Sequence, residues 1–416
     1  MMKTQIEHAK SDTITDEMLK ISKKENIDVN LLKNRIASGE IVIMLRKGHN
    51  VAIGTGLKTK VNANLGSSTK DDCENEIEKA MVAEKLGVNT ICDMSMSGDI
   101  NKIRKKIFNA TTVPISTVPI YQAIAENSFN ASEQNIIKII ENQAASGVSS
   151  FVIHAALTKE MLINLKEKKK SRVMGVVSKG GAMTAAWMFE NDSENPFLKN
   201  FNKIMNILHE HDIVLSLGNA MRSGCIYDKM DDLQKMEAEL NSKLAKDAND
   251  MGVQVIIEGM GGHVAASNIS DYVNYYKKTT DNRPLFVAGP LPIDIAVGYD
   301  HISATVGGAM ASGAGADYLC YITPSEHLGL PGVEQVREGV IACKIAAHIG
   351  DSMKLGLSKD DLKLAEFRKI HDWGGQFEMA IDKGDTAKKY YKNYDGACTM
   401  CGKYCAIDVM RKYLKN

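Results

Sequence analysis

The sequence predicts an α/β fold whose centre is a (β/α)8 barrel of the TIM type. From residue 58 onward, short β-branched or apolar runs alternate with amphipathic segments, several of which end in glycine as helices often do. Repeated strand–helix units of this kind form a parallel sheet with helices outside. Polar residues also gather where the predicted strands end, and TIM barrels build their active sites at that face.

Nine runs qualify as strands by this pattern: residues 59–66, 89–95, 113–119, 150–156, 172–178, 212–218, 253–259, 284–290 and 317–323. A ring of eight strands leaves one candidate over, so at least one run is expected to lie outside the barrel. The polar residues near the strand ends are Asn62, Asn64, Asp93, Tyr121, His154, Ser178, Asn219 and Glu258, followed by the turn after Tyr321. Caps and turns explain some of these positions, but their number favours an active site.

The remaining chain divides around the predicted barrel. Residues 1–57 are a Lys-rich, partly helical lead-in, and residues 58–332 hold the barrel with its active site. Residues 333–384 have a purely helical pattern. Residues 385–416 begin as a polar, Gly-containing linker and end in a cysteine-rich tail.

The charge balance excludes partners that are recruited by a global electrostatic field. Lys plus Arg and Asp plus Glu number 51 each, so neither nucleic acid nor an anionic membrane is an expected partner. No apolar run approaches the ~18 residues of a membrane span, and the N-terminus lacks the apolar core of a signal peptide. We therefore expect a cytoplasmic protein that holds any anionic substrate with local groups.

Three of the eight cysteines are crowded into CTMCGKYC, with the spacing C-x2-C-x3-C. The other five (Cys73, Cys92, Cys225, Cys320 and Cys343) are scattered among apolar neighbours and are predicted to be buried. Three close thiolates at Cys398, Cys401 and Cys405 suit a metal centre. A [4Fe–4S] cluster held this way keeps one iron open for S-adenosylmethionine (SAM). Zinc with a fourth ligand, or a helix with core-facing cysteines, are the alternatives, although Gly402 disfavours a plain helix.

Two histidines follow different late strands, His263 in EGMGGHV and His327 in TPSEHLGLP. Glycines or proline flank both, which places them on tight turns. Two imidazoles with open positions suit zinc or a similar ion, but isolated histidines are more often structural. Their spacing alone leaves both interpretations open.

The run VVSKGG places Ser178 and a pair of glycines at a predicted strand-to-helix junction. Free N–H groups at a helix N-terminus bind anions. Lys179 and Arg222 add cationic side chains nearby in the predicted barrel. A Gly-Gly pair also occurs in simple turns, but together these groups suggest a phosphorylated substrate.

The order of motifs along the chain resembles the phosphomethylpyrimidine synthase family. The matching segments are VNANLG, TVPIYQA, IHA, VSKGG, SLGNAMRSG, GYDHI, YITPSEHLGLP and CTMCGKYC. They extend over nearly the whole chain, from TQIEHAK to the last cysteine. YITPSEHLGLP is highly specific, and the 64-residue gap between His263 and His327 equals the gap between the family's two metal-binding histidines.

The resemblance implies a radical SAM barrel that binds 5-aminoimidazole ribotide, with a cluster-bearing tail that reaches the active site of a dimer partner. The implied substrate contacts are Asn64, Cys92, Tyr121, His154, Ser178, Lys179, Gly180, Asn219, Arg222, Glu258 and Phe286, of which Asn219 and Glu258 are the predicted catalytic residues. The implied ligands are His263 and His327 for a divalent metal, zinc or a similar ion, and Cys398, Cys401 and Cys405 for the [4Fe–4S] cluster. A reducing electron donor and a homodimer, or a heterodimer with a paralogue, are also implied.

Three departures favour one branch of that family. The chain has SKGG where the thiamin enzyme has SRGG, Asn219 where it has Asp, and C-x2-C-x3-C where it has C-x2-C-x4-C. These changes resemble the 5-hydroxybenzimidazole synthases, which make the lower ligand of cobamides from the same ribotide. Two further positions fit neither branch: Cys92 replaces a Met and Phe286 replaces a Tyr of the family.

The sequence therefore favours conversion of the ribotide to 5-hydroxybenzimidazole, with formate, phosphate, 5′-deoxyadenosine and methionine released. The first alternative is the thiamin-branch enzyme, which makes 4-amino-5-hydroxymethyl-2-methylpyrimidine phosphate. The others are a non-radical metallohydrolase with a zinc tail, and a catalytically silent partner subunit.

Overall fold

The structure, a computed structural model, describes residues 3–46, 48–68, 73–167, 172–392 and 396–414. The chain forms two compact units, Met1–Lys354 and Leu355–Asn416. Among the described residues, no helix combines the length and the apolar composition that a membrane crossing requires.

A closed barrel of eight parallel strands forms the centre of the first unit, which confirms the predicted fold class. The described residues form ten strands, two of which lie outside the barrel: β1 (Ile41–Met44), β2 (Val51–Gly54), β3 (Lys60–Leu65), β4 (Thr90–Asp93), β5 (Ile115–Thr117), β6 (Ser150–Ile153), β7 (Val214–Leu217), β8 (Val255–Glu258), β9 (Leu285–Ala288) and β10 (Tyr318–Cys320). Strands β3 to β10 follow one another around the barrel in chain order. The ring closes where β10 pairs with β3, with Tyr318 opposite Lys60.

Helices surround the barrel and form most of the second unit. Those of the first unit are α1 (Gln5–Lys10), α2 (Asp16–Glu25), α3 (Val29–Ala37), α4 (Cys73–Lys85), α5 (Ile100–Ala110), α6 (Pro119–Asn127), α7 (Glu133–Ala145), α8 (Lys159–Glu167), α9 (Lys179–Glu190), α10 (Pro196–Lys199), α11 (Phe201–Glu210), α12 (Asp232–Asp250), α13 (Ile269–Thr279), α14 (Asp300–Ala314) and α15 (Val333–Leu355). The second unit contains α16 (Lys359–Lys369), α17 (Trp373–Met379), α18 (Ala387–Tyr390) and α19 (Ala406–Arg411). Local sequence starts several of them: the Ser178 hydroxyl caps α9 and the Asp231 carboxylate caps α12.

One of the nine strand candidates, residues 172–178, is not a strand and lies outside the ring. This agrees with the expectation that nine candidates exceed a ring of eight strands. Its backbone is satisfied differently: the Val173 N–H donates to the Asp228 carboxylate at 2.7 Å, and the Met174 N–H to the same group at 3.3 Å. Asp228 belongs to the segment after β7. This tether replaces a strand ladder and leaves the apolar Val173 side chain exposed.

The lead-in residues close the N-terminal end of the barrel. Strands β1 and β2 form an antiparallel pair whose apolar side chains pack against the starts of barrel strands. The packed residues are Val42, Met44, Val51, Ile53, Val214, Ile256 and Tyr318. The Gln254 side chain fastens this hairpin, accepting from the Ile43 N–H at 2.7 Å and donating to the Ile43 carbonyl at 3.2 Å.

We predict that Gln254→Ala destabilises the first unit by ~1–3 kcal/mol, because it leaves two buried backbone groups of Ile43 without partners. A lower Tm and a lower urea midpoint would report the loss. Gln134→Ala, at an exposed position on α7, is the control and should change stability by less than ~0.5 kcal/mol. Equal midpoints for the two variants would contradict a fastening role for Gln254.

Candidate active site

A cavity of about 940 Å³ occupies the barrel interior, and its lining extends from Met44 of the β1–β2 hairpin to the segments that follow the carboxyl ends of the strands. All eight barrel strands contribute lining residues, among them Asn64, Cys92, Ser116, Ser150, Ser216, Glu258, Phe286 and Cys320. A cavity of this size suits a small phosphorylated metabolite.

The structure brings most of the predicted site residues to this cavity. Asn64, Cys92, Tyr121, His154, Ser178, Lys179, Arg222, Glu258, Phe286, His263 and His327 all line it. Gly180 and Asn219 are not part of the lining. Asp93, at the end of β4, is also absent from the lining, because it forms a buried ion pair with Arg104 at 3.3 Å.

The sequence analysis missed part of the lining. Ser116 and Ser216 lie inside strands and Ser150 begins β6, so none of the three follows a strand end, and all three line the cavity. A polar residue in the middle of a short apolar strand was the available signal. Cys92 and Cys320 are buried as predicted but line the cavity, whereas Cys73 and Cys225 are only half-buried.

His154 is held in place between two glycines. A Cβ atom on Gly180 would lie 2.4 Å from the ring carbon Cε1, and one on Gly218 would lie 2.7 Å from Cδ2. Only glycine at both positions leaves room for the imidazole. Gly180 therefore shapes the site from behind the ring.

The fixed imidazole is also kept neutral. Its Nε2 lies 2.9 Å from the Ser178 hydroxyl. Burial, aided by the positive charge of Arg222, lowers the pKa of His154 to about 3. A neutral imidazole presents one donor and one acceptor, so His154 can orient a ligand without adding charge.

The groups expected to bind an anion meet at the start of α9. The Ser178 hydroxyl accepts from the Gly181 N–H at 3.2 Å, which caps the helix. The Lys179 ammonium lies 4.8 Å from the centre of the Tyr121 ring, and Arg222 lines the cavity from the segment after β7. Two cations beside a helix N-terminus form a suitable site for a phosphate group.

Glu258 is one of three carboxyl groups that line the cavity, together with Asp294 and Glu326. Burial raises the pKa of Glu258, while the Arg222 charge and the Asn219 backbone N–H oppose that rise. A carboxyl group with an elevated pKa can exchange a proton with a ligand near neutral pH. This position agrees with its predicted catalytic role, which remains a prediction.

Asn219 has a different environment from the one its predicted role requires. Its side chain is buried and donates to the Gly259 carbonyl at 2.5 Å and to the Tyr276 hydroxyl at 2.9 Å. The side-chain amide is thus engaged with the protein. The group of Asn219 that influences another site residue is its backbone N–H, which opposes the rise in the pKa of Glu258.

The two histidines predicted to bind a metal face each other. The His263 and His327 Nε2 atoms are 3.4 Å apart. Zinc–nitrogen bonds of about 2.0–2.1 Å at tetrahedral angles place two ligand nitrogens ~3.3 Å apart, so this pair fits such an ion. Two ligands leave the other positions of the ion for water or substrate.

Carboxylates hold both imidazoles in this orientation. Asp294 lies 2.6 Å from Nδ1 of His263, and Asp300 lies 3.0 Å from Nδ1 of His327. Carboxylates bonded to the distal nitrogen orient histidine ligands in many metal sites. The sequence analysis missed both, although Asp300 stands in the quoted segment GYDHI. Burial also raises the pKa of the neighbouring Glu326, which lines the cavity.

The three tail cysteines lie in a turn of the second unit. Cys398 is half-buried, Cys401 is exposed and Cys405 is buried. A short 3-10 turn (Gly402–Tyr404) separates the second from the third, and α19 begins after Cys405. Cys401 is exposed, and the 3-10 turn interrupts the helical conformation between Cys401 and Cys405. These two facts exclude a continuous helix with core-facing cysteines. Three thiols, one fewer than the irons of a cubane, fit a cluster with one open iron.

Cys405 also has a histidine beside it. The His371 Nε2 atom lies 4.0 Å from the Cys405 sulfur and 3.0 Å from the Asp408 carboxylate. These three residues could hold an ion as a group. The sequence analysis did not identify His371 or Asp408, since their separation from the cysteines follows no recognised ligand spacing.

We predict that His154 makes stability depend on pH. Between pH 6.5 and about 3, the unfolded chain protonates this histidine and the folded chain does not, so stability falls as pH falls. From pH 6.5 to 5 the loss is ~2 kcal/mol. Urea unfolding of the wild type and His154→Gln at both pH values measures it. Equal losses in the two proteins would contradict a neutral, buried His154.

We predict that His263→Ala and His327→Ala each remove the same equivalent of bound zinc, and that the double variant loses no more. This non-additivity follows if both side chains bind one ion. Asp300→Asn should weaken zinc affinity by about 10–100-fold, because it releases the His327 ring. His211→Ala, at an exposed position, is the control. Unchanged metal content in His327→Ala would refute a shared site.

The chain matches the Radical SAM ThiC family over residues 4–412. It is 44% identical to phosphomethylpyrimidine synthase of Thermoanaerobacter sp. (strain X514), an alignment that covers 99% of this chain and 98% of the relative. It is 43% identical to the protein of that name from Methanocaldococcus jannaschii, covering 97% and 98% of the two chains. Phosphomethylpyrimidine synthase 1 of Methanosphaera stadtmanae is 40% identical, with 99% of each chain covered. The chain therefore belongs to the radical SAM ThiC family.

Proposed function

We propose that this protein converts 5-aminoimidazole ribotide to 4-amino-5-hydroxymethyl-2-methylpyrimidine phosphate. The observation that carries the proposal is end-to-end similarity to relatives named phosphomethylpyrimidine synthase. That name favours the pyrimidine product over the 5-hydroxybenzimidazole favoured by the sequence analysis. The cavity supports a phosphorylated, nitrogen-rich substrate, since it combines cations, a neutral imidazole and a carboxyl group.

Each part of the cavity has a task in this proposal. Lys179, Arg222 and the start of α9 bind the ribotide phosphate. The neutral His154 and the Tyr121 ring orient the substrate, and Glu258 holds or moves a proton during the rearrangement. The barrel wall excludes water from the reacting carbons.

Two groups would be bound by other residues of the chain. Membership of a radical SAM family implies a [4Fe–4S] cluster and SAM. Cys398, Cys401 and Cys405 would hold the cluster, which with SAM supplies the radical chemistry of hydrogen abstraction. His263 and His327 would hold a divalent ion that polarises or positions substrate oxygens. A reducing electron donor and a dimeric assembly belong to the same proposal.

A second candidate product is 5-hydroxybenzimidazole. Asn219 favours it, because the side-chain amide donates two hydrogen bonds that an aspartate could not donate. An aspartate there would face the Gly259 carbonyl oxygen with a negative charge. The Lys in SKGG and the C-x2-C-x3-C spacing point in the same direction.

We predict that anaerobic turnover of 5-aminoimidazole ribotide, with SAM and a reductant, yields the pyrimidine phosphate and 5′-deoxyadenosine. Chromatography with mass detection separates this product from a benzimidazole. Cys398→Ala, Cys401→Ala and Cys405→Ala should each abolish SAM cleavage, because each removes a cluster ligand, while leaving the barrel folded. Cys73→Ala, outside the tail and outside the cavity lining, is the matched control.

The outcomes of this experiment are distinct. A benzimidazole as the sole product would transfer the assignment to the second candidate. SAM cleavage that survives in all three tail variants would refute the radical SAM chemistry of those cysteines. Loss of barrel folding in the tail variants would instead indicate a structural metal.

A further inference from the structure

Helix α12 supports the segment after β7 with one buried face. Gln234, Glu237 and Asn241 are spaced three and four residues apart, so they lie on the same side of the helix. Each is about 1% exposed. None of the three lines the cavity, and the proposed function gives them no task.

The segment that they support consists of residues 218–222. The Asn241 amide donates to the Gly218 carbonyl at 3.3 Å. The Gln234 amide donates to the Tyr276 hydroxyl at 3.1 Å, and this hydroxyl accepts from Asn219. Both contacts hold the chain immediately before Arg222 enters the cavity.

Glu237 makes the central contacts. One carboxylate oxygen accepts from the Ala220 N–H at 2.7 Å, and the other accepts from the Met221 N–H at 2.9 Å. Consecutive N–H groups that point to one place need two acceptors, and a carboxylate provides both. These N–H groups lie beyond the end of β7, so the barrel ladder does not bind them.

Burial and the neighbouring groups act in both directions on the pKa of the Glu237 carboxyl group. Burial raises the pKa of Glu237 to about 7, while the two N–H groups and the Arg172 guanidinium oppose the rise. The nearby Glu258 carboxylate adds repulsion. The two backbone donors therefore sustain a carboxylate that burial alone would neutralise.

We propose that Glu237 is a positioning residue that governs ribotide affinity without touching the ligand. It fixes the backbone at residues 220 and 221, and this backbone sets the direction of Arg222. The proposal rests on the proposed function only in naming the ribotide as the anion that Arg222 binds.

Glu237→Gln is the direct test, because it keeps the size of the side chain and replaces one acceptor with a donor that faces an N–H group. We expect the dissociation constant for 5-aminoimidazole ribotide, measured by calorimetry on the full chain, to rise at least about tenfold. The constant for inorganic phosphate should rise as well. Hydrogen exchange in the peptide that spans residues 218–222 should become faster.

Glu239→Gln is the matched control, since it makes the same chemical change at an exposed position of α12. It should leave affinity and exchange at wild-type values. Glu237→Asp keeps the charge but shortens the side chain, so it should show the same defects. It replaces Glu237→Gln as the test if that variant does not fold.

Wild-type ribotide and phosphate affinity in folded Glu237→Gln would overturn the proposal, as would unchanged exchange at residues 218–222. Failure of both Glu237 variants to fold would make the residue purely structural and would also overturn it. Failure of the proposed function is a separate result, because it appears as a different product from the wild-type protein. The exchange and phosphate measurements decide the role of Glu237 whichever product is formed.

Discussion

The pairing of β10 with β3 is the constraint on which the rest of the first unit depends. It joins Tyr318 to Lys60 across more than half of the chain and closes the sheet. Closure places the carboxyl ends of all eight strands around one cavity. Asn64 on β3 and Cys320 on β10 come from the first and last strands of the barrel, and they line one cavity because the ring is closed.

Burial then gives the cavity its chemical character. The chain has no net charge, so binding of an anion depends on a few side chains in a site of low dielectric constant. Arg222 is the common neighbour: its charge disfavours protonation of His154 and favours ionisation of Glu258. Burial thus keeps the imidazole neutral and raises the pKa of the carboxyl group, while the Arg222 charge strengthens the first effect and opposes the second.

Neighbouring side chains hold the functional groups of the cavity in place. Asp294 and Asp300 orient the two facing histidines, and Glu237 binds the backbone that leads to Arg222. Gly180 contributes by lacking a side chain, which leaves space for His154. Such supports follow a common rule: a buried functional group keeps its geometry when its neighbours satisfy its remaining hydrogen bonds.

The sequence by itself determined the strand–helix alternation, the three-cysteine tail and most of the cavity lining, because each is a local pattern of residue types. It could not determine which of the nine candidate strands falls outside the ring, since residues 172–178 have an apolar pattern and are excluded by a tether to Asp228. It also placed the Asn219 side chain in the cavity, whereas tertiary contacts turn that amide toward Gly259 and Tyr276. Only the tertiary structure decided these points, because the partners of a buried polar group lie far away in sequence and meet it when the barrel closes.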